Sequence, residues 1–173
     1  VLPVGSAIGF GVGPLLLAAR PDTNPRDPVS AGDGSRVARV LCPGKHTTAT
    51  PFNVDTLDSL PRVDVVYAYA GADGLLVDAV RNNKSDGLVL AGFGSGTFTP
   101  PLEAAAAAAV QDGISVVIST RSYVGRVIAT PRKTEFGFAV ADDLMPPKAR
   151  VLLILALTLT RDRDAIQQLF YQH

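Results

Sequence analysis

The sequence predicts an α/β fold, a small parallel sheet between layers of helices, three layers in all, with an irregular amino-terminal extension. Two observations predict it. Between Val63 and Val117, short β-branched runs bounded by Gly and Asp alternate with segments of helical period, and that alternation marks βαβ units whose strands lie parallel. The connections also carry helix start and stop chemistry: Asp73 ahead of Leu75, Pro100 and Pro101 with Glu103, and Gly113 behind an alanine run.

Taken in order, Val63-Asp-Val-Val-Tyr-Ala-Tyr is the first core strand. In the helix that follows, Leu75, Leu76, Ala79 and Val80 are expected on one face and Asp78, Arg81 and Asn82 on the other, with Asp73 as its N-cap. Gly87-Leu-Val-Leu-Ala is the second strand. A helix opens at Pro100 and Pro101, since proline has no amide hydrogen to leave unpaired in a first turn, and Glu103 suits the positive end of its dipole. Gly113 closes it, and Ile114 to Ser119 is the third strand. Thr120 to Thr134, with Arg121, Arg126, Arg132 and Lys133, reads as a basic exposed loop, and Phe136-Gly-Phe-Ala-Val as a further short strand. Pro146 opens a helix that is apolar nearly all round, as if packed on several sides. A last helix presents Ala165, Ile166, Leu169 and Phe170 on one face.

Upstream the pattern weakens. Val1 to Ala19 is apolar, but Pro3, Pro14 and glycines at 5, 9, 11 and 13 argue for an irregular piece over a targeting or spanning segment. The start at Val1, without methionine, is expected of a fragment or a processed product. Arg20 to Ser35 reads as loop, Arg36 to Leu41 as a short strand, Lys45 to Val54 as an extended linker, and Asp55 to Pro61 as a turn of helix or loop. The expected division is 1–35 irregular, 36–61 strand and linker, 62–173 α/β domain. Val151 to Leu157 is continuously apolar for seven residues, against about 20 for a membrane span.

Composition narrows the function classes. Of 173 residues 47% are apolar and 18% charged, and the formal net charge is zero. Nucleic acid and anionic membrane surfaces call for a basic surplus, so neither is expected as a partner. One cysteine, Cys42, and two histidines, His46 and His173, are poor material for a metal cluster, and none is predicted.

Gly92-Phe-Gly-Ser-Gly-Thr, after a strand and before a helix, is the strongest candidate binding loop. Glycines let a backbone approach a ligand, the next helix offers amide hydrogens and a positive dipole end, and ligands of open parallel sheets sit outside the strands' carboxyl ends. Thr97 stands where a dinucleotide fingerprint needs glycine, and the G-K-[ST] of a phosphate loop is absent. A small-anion site and a bare tight turn both remain readings. Thr47 and Thr48 beside Lys45 and His46 suggest a hydrogen-bonded connector rather than a nucleophile, because adjacent residues of an extended strand face opposite ways. Cys42 has no identifiable base and reads as a plain thiol. Asp142 and Asp143 either hold a cation or complement the amino end of the Pro146 helix, the second being the simpler reading.

Five separated blocks, Lys45 to Val54, Leu60 to Gly74, Gly87 to Thr97, Leu144 to Leu153 and Ala165 to Phe170, resemble in order and spacing the carboxyl-terminal half of bacterial L-asparaginases of the glutaminase-asparaginase type. The resemblance covers about Arg36 to His173. It implies a Rossmann-like smaller domain joined by a linker to a larger amino-terminal one, and hydrolysis of L-asparagine, less well L-glutamine, to the acid and ammonia. It further implies a threonine nucleophile forming an acyl-enzyme without metal or organic cofactor, and sites shared between subunits of a homotetramer. The family's T-G-G-T-I and G-T-D-T segments, which carry its catalytic threonines, do not occur in these residues.

No catalytic residue is therefore assigned. Ser95 and Thr97, where the family has polar residues reaching a neighbouring subunit's substrate, are the expected substrate contacts, with Arg121 to Thr130 as a flexible rim. The family's interface glutamate falls by spacing near Thr130, and Glu135 sits too close to the next strand to replace it. Met145 occupies a position usually filled by asparagine, at a cost of about 1 kcal/mol in helix capping. The expected partners are further copies of the chain or a separate amino-terminal domain. The compartment, periplasm or cytoplasm of a bacterium, stays open. Rival readings are an independent small-anion-binding module built on the Gly92 to Gly96 loop, and a non-catalytic fragment.

Overall fold

The computed structural model describes residues 50–172 apart from 56 and 124. The expectations for residues 1–49, among them the amino-terminal segment, the 36–41 strand, Cys42, His46, Thr47 and Thr48, lie outside the described residues, as does His173.

The elements are β1 (Val63–Tyr67), α1 (Leu75–Asn82), β2 (Gly87–Gly92), α2 (Pro100–Gln111), β3 (Ser115–Thr120), α3 (Pro131–Glu135), β4 (Ala139–Val140), α4 (Pro146–Leu157) and α5 (Arg163–Gln172). Every residue of β2 is buried, as expected of a strand with helices on both faces, whose sequence then reads as one apolar run. Sheet order is β1-β2-β3-β4 and all neighbours are parallel. Val63 pairs with Gly87, Gly87 with Ser115, and Val117 with Ala139. Because the strands step in one direction, crossovers of one hand put α1 and α2 on the same face.

Each face has its own core. Under α1 and α2 lie Val66, Leu88, Leu90, Val116 and Ile118, met by Val77, Val80, Leu102, Ala106 and Ala109. Under α4 and α5 lie Val63, Val89, Val117 and Ala139, met by Ala149, Leu153, Ala156, Ile166 and Phe170. The three-layer expectation therefore holds. Gly87 allows the close approach of α4: an added Cβ there would stand 3.0 Å from side-chain carbons of Leu153 and Leu157.

Several local expectations change. The buried residues of α1 are Val77 and Val80, whereas Leu75 and Leu76 are 69% and 47% exposed. Close packing at the helix start fixes this rotation, since a Cβ on Gly74 would lie 2.8 Å from the Cβ of Ala105 in α2. Gly74 holds the N-cap position, one residue later than expected. Asp73 still accepts a hydrogen bond from the Leu75 amide at 3.1 Å.

The Thr120 to Thr134 segment is not all exposed loop. Thr120 is buried in β3, and Thr130-Pro131 starts the short helix α3, with the Thr130 hydroxyl accepting from the Lys133 amide. Arg126 is likewise not exposed. Its side chain retains 15% of its accessibility and pairs with the fully buried Asp142. Phe136 ends α3 rather than beginning a strand, Gly137 turns the chain at φ +78°, and β4 shrinks to Ala139–Val140. Its short edge is closed by the buried Gln167 side chain, whose Oε1 accepts from the Val140 amide at 2.8 Å and whose Nε2 donates to the Val140 carbonyl at 3.1 Å. The amide of Gln167 thus stands in for a neighbouring strand.

Helix α4 begins at Pro146 without a side-chain cap from Met145. It is not enclosed all round, because Val151 is 54% exposed.

Candidate functional site

Strand β2 delivers the chain at Gly92 into a closed turn. The Phe93 amide donates to the Thr97 carbonyl at 2.7 Å, and the Gly96 and Thr97 amides both donate to the Phe93 carbonyl at 2.9 Å. The glycines are needed by this turn itself. Gly94 and Gly96 have φ of +49° and +84°, and a Cβ on Gly92 would lie 2.8 Å from the Gly96 carbonyl carbon and the Thr97 oxygen. Ser95 and Thr97 stand exposed on it.

Neighbouring connections hold the turn in place. The Lys133 ammonium donates to the Ser95 carbonyl at 2.9 Å and the Ile128 carbonyl at 3.1 Å, and burial pushes its pKa below the ordinary lysine value. Arg121, following β3, donates through its amide to the Gly92 carbonyl at 2.8 Å and through Nη1 to the Ala68 carbonyl at 2.6 Å. Its guanidinium lies 5.1 Å from the Phe93 ring centroid, within cation–π range. Tyr67 and Tyr69 at the end of β1 are each 48% exposed. The carboxyl edge of the sheet thus gathers the Ser95 and Thr97 hydroxyls, aromatic surface and one arginine.

Of the two readings of this loop, a small-anion site and a bare tight turn, the hydrogen bonding favours the turn. Three turn amides are spent within the turn. Helix α2 opens with Pro100 and Pro101, which have no N–H, the Glu103 amide donates to the Thr99 carbonyl, and the Glu103 carboxylate adds negative charge to the first turn. A helix end attracts anions through free donors as well as its dipole, and the two prolines remove two of those donors here.

Asp142 is engaged with the loop that follows β3. Its carboxylate pairs with Arg126, its backbone sits at φ +56°, and its carbonyl accepts from the Val127 amide at 2.8 Å. Thr130 is engaged as the cap of α3, and Glu135 is the exposed last residue of that helix. No group of three or more His, Cys, Asp or Glu suited to a metal occurs among the described residues, and no helix among them is long and apolar enough to cross a membrane. Among the described residues, no side-chain base is hydrogen-bonded to the Ser95 or Thr97 hydroxyl. The turn is equipped to donate and accept hydrogen bonds rather than to attack a carbonyl.

Sequence reasoning missed Lys133 as a support of the turn, and it missed the pairing of Arg126 with Asp142. The Thr130-Pro131 helix start was the available signal for Lys133. The Arg126–Asp142 pairing spans 16 residues and has no local signature.

The Glutaminase/Asparaginase C-terminal domain family matches residues 62–170. L-asparaginase 2 of Bacillus subtilis is 40% identical over 129 residues, which is 75% of this chain and 34% of that protein. L-asparaginase 2 of Escherichia coli is 42% identical over 131 residues, 75% of this chain and 38% of that protein. The crystal structure of a probable cytoplasmic L-asparaginase from Campylobacter jejuni superposes with a TM-score of 0.73 at 36% identity, covering 79% of this chain and 44% of that one. The chain thus spans a little over a third of the length of these two curated relatives.

Proposed function

The chain belongs to the Glutaminase/Asparaginase C-terminal domain family, and from that premise we propose that it is the smaller domain of an amidohydrolase that converts L-asparagine, and less readily L-glutamine, to the acid and ammonia. The observation that carries this reading is the family match over residues 62–170 beside relatives in which the matched part is the minority of the protein. The domain division 1–35, 36–61 and 62–173 goes with it.

In this role the chain supplies no nucleophile. Water and the amide are consumed, the C–N bond breaks at a threonine of the larger domain, and the acyl group is released as carboxylate. Ser95 and Thr97 offer their hydroxyls to a substrate held mainly by a neighbouring subunit. Their exposure, the absence among the described residues of a base hydrogen-bonded to them and the hydrogen-bonded turn beneath them support a binding rather than a bond-breaking part.

The test is complementation. The chain is mixed with the separately expressed amino-terminal domain of an L-asparaginase, and complex formation and ammonia release from asparagine are followed. A complex with turnover is expected. In that complex, Ser95→Ala and Thr97→Ala should raise KM by roughly ten-fold each, the scale of one lost hydrogen bond, and leave kcat less affected. A complex indifferent to both substitutions overturns the site assignment. Failure to form any complex overturns the domain role.

A further inference from the structure

We propose that the Arg126–Asp142 ion pair, part-buried with its carboxylate fully enclosed, is a positioning device for the Gly92 to Thr97 turn, acting through Val127 to fix where Ser95 and Thr97 stand. The inference deepens the proposed function, because it assigns supporting residues to the same turn.

The contacts form a chain of short links. Asp142 is fully buried and faces the Arg126 guanidinium with both carboxylate oxygens, Nε toward Oδ1 and Nη2 3.2 Å from Oδ2. The next residue, Val127, is 1% exposed, and its amide donates to the Asp142 carbonyl at 2.8 Å. Val127 and Asp142 therefore form an isolated antiparallel bridge that pins the loop after β3 to the loop after β4. The Val127 side chain is in turn a wall for the glycine turn. A Cβ on Gly96 would come 2.9 Å from Val127 Cγ1 and 2.7 Å from Ile118 Cγ2. Gly96 lies between Ser95 and Thr97, so the depth of Val127 sets the height of both hydroxyls. Ile118 is fixed by the β2–β3–β4 ladder, whereas Val127 lies outside the named strands.

Two features mark the pair as more than generic loop packing. Asp142 adopts a left-handed backbone, uncommon outside glycine although Asp accepts it more readily than most side chains. A carboxylate in a fully buried place also loses hydration that only a well-formed partner offsets. Both costs are met at one residue, and what they fix is the loop that walls the turn.

The test is residue-resolved amide hydrogen exchange on the 173-residue chain. Removing one partner alone would leave a buried charge, so the informative variant is the double substitution Arg126→Ala/Asp142→Gly, in which glycine accepts the positive φ. The Gly96 and Thr97 amides, both hydrogen-bonded to Phe93, are expected to lose about ten-fold or more of their protection, while Leu90 and Ile118 in the ladder stay within about two-fold. Arg126→Lys, which keeps a cation near Asp142, should retain most of the turn's protection. Unchanged turn amides in the double variant overturn the proposal. So does a parallel loss in turn and ladder, which would report only lower global stability. The exchange result does not depend on asparagine turnover, so the failure of this inference and the failure of the proposed function are separately visible.

Discussion

Asp86 shows how one side chain joins segments that the sequence separates. Its Oδ1 accepts from Arg161 at 2.5 Å and its Oδ2 from the Arg62 amide at 2.9 Å, while its own carbonyl accepts from the Ser115 amide. The Arg161 bond and then the Arg62 amide hold its carboxyl below the usual carboxylate range, outweighing its partial burial. A carboxylate with a lowered folded pKa adds stability that is complete above its unfolded value, about 3.9, and is lost as pH falls through the folded value. Asp86→Asn should therefore lower the urea midpoint near neutral pH, and the gap from the parent should close on acidification below about pH 4. Parallel acid limbs for parent and variant would contradict this. The Asp-Gly pair at 86–87 was readable as a strand boundary, but Arg161 lies 75 residues away, and no local pattern announces such a partner.

Among the elements, α1 and α4 give the clearest checks. Helical period placed Leu75 and Leu76 with Ala79 and Val80, yet the sheet receives Val77 and Val80. Apolar residues occupy more of this short helix than one face can bury, so composition could not decide the rotation. Contact between Gly74 and Ala105 decides it. Val77→Ala is expected to cost about 1–2.5 kcal/mol for the lost methyl groups and the cavity left behind, whereas Leu75→Ser and Leu76→Ser should stay within about 0.5 kcal/mol. Chemical denaturation of the three variants measures both statements. In α4, Met145 has the extended backbone of an N-cap (φ −62°, ψ 151°) but no cap oxygen. Met145→Asn should stabilise the chain by about 1 kcal/mol, read as a higher thermal midpoint. The α2 ends were legible because Pro100, Pro101 and Gly113 each act locally. The start of β4 was not, because Phe136 and Phe138 have strand-like composition but are used in a ring cluster, their centroids 5.6 Å apart.

At the scale of the whole molecule, four parallel strands and two helical layers bring the ends of β1, β2 and β3 to one edge, where the glycine turn lies. The purified chain by itself is expected to release no ammonia from asparagine above background, because the family's threonine segments are not among its residues. Turnover by the isolated chain that is abolished by substituting one of its own threonines would reverse the proposed role. The amino-acid order alone determined the α/β class, the alternation of elements, the positions of Gly92, Gly94 and Gly96, and the resemblance to a family, since each depends on neighbours within a few residues or on a linear pattern. Tertiary structure decided which face of α1 is buried, that the glycine turn spends three of its own amides, that Lys133 and Arg121 hold it, and that Arg126 meets Asp142. Those outcomes depend on donors, charges and packing surfaces brought together from distant parts of the chain, and proximity of that kind exists only once the sheet has formed.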